Sequence, residues 1–140
     1  MGRLMTPMST LPDILSPVHM KIEPAVIAAY AELTNDFNPI HLDPEFASGT
    51  PMGGVIAHGT MSIGLIWQAL QRSLGSAAFE QSELDIRFVK PVRPGETLVA
   101  GGQARPDAPG VYDVWVRAED DGGDRIVGSV RVPGAAAGVT

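Results

Sequence analysis

Hydrophobic and polar positions recur with two different periods along this chain, and the change of period divides it. Over residues 23–34, "EPAVIAAYAELT", the apolar side chains Val26, Ile27, Tyr30, Ala31 and Leu33 fall close to one face at helical spacing. Pro24 suits the first helical position, where no backbone N–H is needed. Asn38-Pro39 stops this helix, because a residue before proline is pushed out of the helical region. Asp43-Pro44 predicts the start of another short helix, with aspartate as N-cap and proline just inside. The stretch between, "NDFNPIH", reads as irregular backbone. A longer helix is predicted over residues 59–74, "GTMSIGLIWQALQRSL". Gln68, Gln71 and Arg72 form one polar stripe and nearly every other position is apolar, so this helix is buried on most sides. Gly75 ends it.

From residue 82 onward the period drops to two. "SELDIRFVKPV" sets Leu84, Ile86 and Phe88 on one face and Asp85 and Arg87 on the other. "RPGE" is a turn, and "TLVAGGQAR" is a second strand in which Gly101-Gly102 suggests a bend or bulge. "VYDVWVRAE" places Tyr112, Val114 and Val116 on one face, while Val111, Asp113, Trp115 and Arg117 make a mixed second face. "DDGGD" is a hairpin loop before a last strand, "RIVGSVRV". One long greasy helix followed by an antiparallel meander predicts an α+β domain in which the sheet wraps the helix. Residues 1–17 and 134–140 read as loose ends of a single domain, 1–140.

Bulk properties narrow the picture only a little. The 140 residues and 44 % hydrophobic content suit one soluble domain with its own core. No apolar run of about eighteen residues predicts a membrane span, and the N-terminus lacks the apolar stretch of a secretory signal. The absence of cysteine excludes disulfides, thiolate metal sites and a thiol nucleophile, and fits a cytoplasmic protein. Net charge is −6 with scattered Lys and Arg, which makes nucleic acid a poor partner but leaves room for an anionic small ligand.

Three familiar motifs fail. Gly49 and Gly54 have phosphate-loop spacing, but Val55-Ile56 stands where Lys-Ser/Thr is required. Ser62 misses the nucleophile-elbow pattern by one residue and sits within a helix. His41-x-Asp43 is too small a ligand set for a metal, with only His19 and His58 as further histidines. What survives is Asp36 with His41, five apart on irregular backbone. A carboxylate and an imidazole sharing one water make a general acid–base pair. Asn38 can orient that water, and the N–H of Gly59 opens the buried helix at its positive end, where a carbonyl oxygen would find a donor. Each residue also has a plainer reading. Asp36 can cap or turn, His41 can be structural, and Asn38 can form an Asx turn before proline. Asp43 can be only an N-cap, His58 only the helix entry, and Gly53-Gly54 only flexibility or close packing. Composition and spacing leave the chemistry undecided between them.

At these residues the chain resembles the MaoC-like family of R-specific enoyl-CoA hydratases and dehydratases. The resemblance rests on Tyr30, "LTNDFNPIHLDPEFA", "GGVIAHGTMSIGL" and "FVKPVRPGETL", in the family's order and spacing. It implies a hotdog fold, with the 59–74 helix as the sausage and the later strands as the bun. It implies Asp36 and His41 as the catalytic pair, Asn38 as their support and Gly59 as oxyanion donor. The implied reaction adds water to a trans-2-enoyl thioester to give the (R)-3-hydroxyacyl product, or the reverse, with no cofactor and no metal. The implied partners are an acyl-CoA or acyl-carrier-protein thioester and a second copy of the chain in a homodimer. Asn35, Pro39, Gly54 and His58 are expected around the substrate, within a pocket shaped by residues 48–55. Arg87, Lys90 and Arg93 are candidates for the CoA phosphates by charge and position. One departure is Thr34-Asn35-Asp36 where the family has Ser-Gly-Asp. Asparagine is among the residues that best tolerate the positive φ such a glycine signals. Two other functions remain in view. A hotdog thioesterase would carry a carboxylate on the central helix, which residues 59–74 lack. A non-catalytic acyl-CoA-binding subunit would have no use for an intact Asp36/His41 pair.

Overall fold

The computed structural model describes residues 11–76 and 80–132. Expected loose segments before residue 11 and from residue 134 onward lie outside them. The elements run β1 (Val18–Lys21), α1 (Pro24–Thr34), α2 (Pro39–Leu42), α3 (Pro44–Ser48), α4 (Gly59–Leu74), β2 (Glu83–Phe88), β3 (Thr97–Ala104), β4 (Val111–Ala118) and β5 (Asp124–Arg131). The five strands form one antiparallel sheet in the order β1-β3-β4-β5-β2. The meander β3-β4-β5 is its centre, and β2, the strand that follows α4, lies at the far edge from β1.

Helix α4 packs across β1, β3 and β4. Its buried side chains Leu65, Ile66, Ala69 and Leu70 join Leu98, Ala100, Val114 and Val116 from the sheet in a single core. Each fully buried aliphatic side chain there is worth roughly 1.5–3 kcal/mol. Gln68, Gln71 and Arg72 are exposed, as the polar stripe predicts. Tyr112, Val114 and Val116 point inward. The mixed outer face of β4 has its own logic, since the Arg117 guanidinium lies 4.3 Å over the Trp115 ring.

Three local expectations need correction. First, residues 11–17 are no loose lead-in. Leu15 is buried, and its N–H donates to Gly102 O at 2.9 Å. The Ala104 N–H donates to Asp13 O at 2.7 Å, and the Tyr112 hydroxyl to Pro12 O at 2.9 Å. The chain then enters β1, a strand of four residues, too short to show a period. Second, Gly101-Gly102 is not a bulge, because the β3–β4 register runs unbroken through it. A Cβ on Gly102 would lie 2.6 Å from the Leu15 side chain, and one on Gly101 3.0 Å from the Trp115 indole nitrogen. These glycines admit close neighbours without an inserted residue. Third, "PIHL" is a short helix of its own, α2, where irregular backbone was expected. The Asn38 side chain caps it by accepting from the Ile40 N–H at 3.0 Å. This is the same cap-plus-proline logic by which Asp43 opens α3, accepting from Glu45 and Phe46.

Backbone bonds tie the irregular segments to α2, to one another and to β5. The Ile56 N–H donates to Ile40 O at 3.2 Å and the Ala57 N–H to Val92 O at 2.8 Å. The Val89 N–H donates to Arg125 O at 2.8 Å, which keeps the chain alongside β5 just beyond the end of β2. Arg125 itself is buried, with Glu96, Asp121 and the Gly123 carbonyl around its guanidinium. Its pKa is raised, first by the Glu96 hydrogen bond, so the charge is fixed. The result is a rigid seat for the N-terminus of α4, framed by residues 35–41 on one side and 88–92 on the other.

Candidate active site

Asn35 ends α1 in the left-handed conformation, at φ 55° and ψ 38°, and its N–H caps the helix. The next residue, Asp36, is thereby turned away from the helix axis, with its N–H donating to Ala31 O at 3.0 Å. The Asp36 carboxylate accepts from the Asn38 N–H at 3.3 Å and is otherwise exposed. His41 projects from α2. Its Nδ1 lies 2.7 Å from Ile56 O. A carbonyl only accepts, so Nδ1 carries the proton and Nε2 is left as the atom that can take or give one.

His58 completes the group. It is 2 % exposed, and its Nε2 donates to the Asp36 carbonyl at 3.1 Å. Its ring stacks on His41, with centroids 3.8 Å apart, and meets Tyr30 edge-on at 5.0 Å. Tyr30 in turn donates to the Thr60 hydroxyl at 2.7 Å. One polar ligand atom from each of Asp36, His41 and His58 falls within 4.8 Å of the others. The stacking disfavours a shared metal ion. Lone pairs lie in the ring planes, and one ion at the usual ~2.0–2.1 Å from a nitrogen of each ring cannot lie in both planes. The arrangement suits proton transfer, with His58 bracing the loop that carries the carboxylate.

Beside this pair, α4 begins. His58 occupies its N-cap position without a side-chain cap, so the N–H of Gly59 has no acceptor within the helix. A cavity of about 350 Å³ opens there, lined by Gly59 and Ser62 from α4, by Met52, Ile56 and Ala57, and by residues 88–92 with Arg125 and Ile126. The Phe88 ring lies over the helix start. A Cβ on Gly59 would stand 2.9 Å from two of its ring carbons. The wall is almost wholly apolar, as a site for an acyl chain requires.

The family model described as MaoC like domain matches residues 12–106. The chain belongs to that family. Over 78 residues this MaoC-like chain is 38 % identical to a 3-hydroxybutyryl-CoA dehydratase of Methylorubrum extorquens, covering 56 % of the chain and 50 % of that protein. Over 79 residues it is 39 % identical to an (R)-specific enoyl-CoA hydratase of Aeromonas caviae, covering 54 % and 57 %. The chain thus spans about half the length of these curated relatives. The solved (R)-hydratase from A. caviae involved in PHA biosynthesis superposes with a TM-score of 0.67 at 24 % identity, over 89 % of this chain and 99 % of that one. That likeness is one of fold, and the fold is the hotdog: an antiparallel sheet around a central helix.

Within the MaoC-like frame, Asp36 and His41 lie close together with His58, the residue before Gly59, while the Asn38 side chain caps α2 and Pro39 is its first residue. Asn35 holds the positive φ expected of it. Two expected substrate contacts have other uses. His58 is buried behind the pair. Arg93 is no free cation for phosphates, because its guanidinium donates to the carbonyls of Met52, Gly54 and Val55. It clamps the 52–55 segment, and Gly54 is one of the clamped residues. Of the segment 48–55, Met52 reaches the cavity wall. Arg87 is exposed, and Lys90 stands 3.9 Å from Asp121. Phe88 was not expected at the site, and Ser62 was considered only as a nucleophile and set aside. Phe88 was grouped with the core face of β2, but at the strand's end its ring is half-exposed and turned over Gly59.

Proposed function

We propose that this chain is a hydratase/dehydratase that adds water to a trans-2-enoyl-CoA to give (R)-3-hydroxyacyl-CoA, or runs the reverse. The observation that carries the reading is the meeting of the Asp36 carboxylate and His41 against His58, one residue before Gly59, whose helix start lines an apolar cavity. With the thioester oxygen at the Gly59 N–H, water between Asp36 and His41 attacks the β-carbon. The electron pair of the double bond moves toward the carbonyl, and enolate-like charge collects on the oxygen at the helix's positive end. One member of the pair takes the proton that water loses, and a proton passes to the α-carbon from the other, so the pair ends with the proton count it began with. The thioester supplies the activation, so the reaction needs no cofactor.

The acyl group would fill the cavity and the CoA would leave past Phe88, toward Arg87 and Lys90. An acyl-carrier-protein thioester would present the same atoms. A homodimer accords with the exposed Phe37, Phe46, Phe88 and Val89 around the site and with β2 as an edge strand. Among the described residues no helix is long and apolar enough to cross a membrane, and the cysteine-free chain fits action in the cytoplasm. The test is product analysis. Purified protein given trans-2-enoyl-CoA substrates of increasing length should form (R)-3-hydroxyacyl-CoA without releasing thiol. Release of free CoA would mark a thioesterase. Unchanged substrate at every length would mark a binding subunit.

A further inference from the structure

We propose that the Ser62 hydroxyl is a second hydrogen-bond donor to the thioester oxygen, beside the Gly59 N–H. The proposal rests on the hydratase reading above. Ser62 is 2 % exposed, and its Oγ has no hydrogen-bond partner among the described residues. Buried hydroxyls without partners are costly and rare in native folds, so this one calls for a partner on the ligand. It shares the cavity wall with Gly59.

Helix geometry brings the two together. A helical Cβ tilts toward the N-terminus, and its side chain covers the turn three or four residues earlier. Ser62 lies three residues after Gly59 in α4. Gly59 has no side chain to intervene, and both residues line the cavity. A helical serine commonly bonds back to the carbonyl four residues before it. Here the Ser62 Oγ makes no such bond. The neighbouring wall, including Met52, Ile56, Phe88, Val92 and Ile126, is apolar and offers Ser62 nothing. The reaction requires an acceptor at this end of the cavity, the thioester oxygen. Its charge grows as water adds, so the bond from Ser62 strengthens in the transition state and acts on turnover more than on binding.

Ser62→Ala and Ser62→Cys test this with butenoyl- and octenoyl-CoA as substrates. Cysteine keeps the shape but is a weak donor. Both variants should lose kcat by roughly 100- to 1,000-fold with little change in KM, as for removal of one oxyanion donor. Thermal unfolding of Ser62→Ala should be unchanged or raised, because an unpaired buried hydroxyl is gone. The infrared carbonyl stretch of a bound saturated acyl-CoA should lie at lower frequency in the wild type than in Ser62→Ala. Wild-type kcat in either variant would overturn the proposal. So would a loss confined to KM and dependent on acyl length, which would place Ser62 on the acyl chain. Failure of the wild type to hydrate either substrate would overturn the hydratase reading itself, and the role of Ser62 with it.

Discussion

Gly59 is where the requirements of fold and chemistry meet in one residue. It must begin a buried helix, leave its N–H unpaired and pass under the Phe88 ring. A methyl group there would stand 2.9 Å from Cε1 and Cζ of Phe88. The ring is half-exposed at its strand end and can swing aside, so Gly59→Ala should fold with a stability change within ~1 kcal/mol. The displaced ring would no longer close over the helix start, and the approach to the N–H would be crowded. Turnover should fall at least about tenfold, given that a single oxyanion contact is worth more than that. Steady-state kinetics beside thermal unfolding would check both halves. Gly59, Asp36 and His41 could be singled out in the chain as candidates because they match a motif. Ser62 was considered only as a nucleophile and set aside, because its burial and lack of a partner show only in the structure.

Among the elements, legibility followed length and period. Helix α4 was readable to both ends, and the strands of the meander from their alternation. β1 was missed because four residues carry no period, and α2 because proline was read only as a stop. Residues 11–17 were missed for a different reason: the evidence for their packing lies ninety residues away, in the missing side chain of Gly102. Gly128 makes a similar statement about register. It sits between Ile86 of β2 and Val114 of β4, and a Cβ there would be 2.1 Å from the Asp85 carbonyl oxygen. That neighbour is backbone and cannot swing away. Gly128→Ala should therefore destabilise by about 1–3 kcal/mol or more, lowering the midpoint of denaturant unfolding. Because β2 carries Phe88 and leads into the cavity wall, activity should fall with it.

At the scale of the whole molecule, the fold delivers two segments distant in sequence to one point. The turn after α1 brings the carboxylate, α2 brings the imidazole, and the backbone bonds from Ile56 and Ala57 hold both against the start of α4. The buried His58 locks the arrangement by bonding Asp36 and stacking on His41. This convergence sets a carboxylate and an imidazole beside a pocket with an almost wholly apolar wall. It also makes one substitution decisive. Asp36→Asn keeps the side chain's size and leaves the Asp36 N–H and carbonyl bonds that fold the loop, while removing the charge and proton capacity of the carboxylate. The measurement is the rate at which the conjugated absorbance of a trans-2-enoyl-CoA disappears, for wild type and Asp36→Asn at matched circular dichroism. The account predicts enzyme-dependent loss in the wild type and a fall of at least about a hundredfold in the variant, the scale of a general acid–base contribution. Equal rates in the two proteins, or no loss in the wild type, would contradict it.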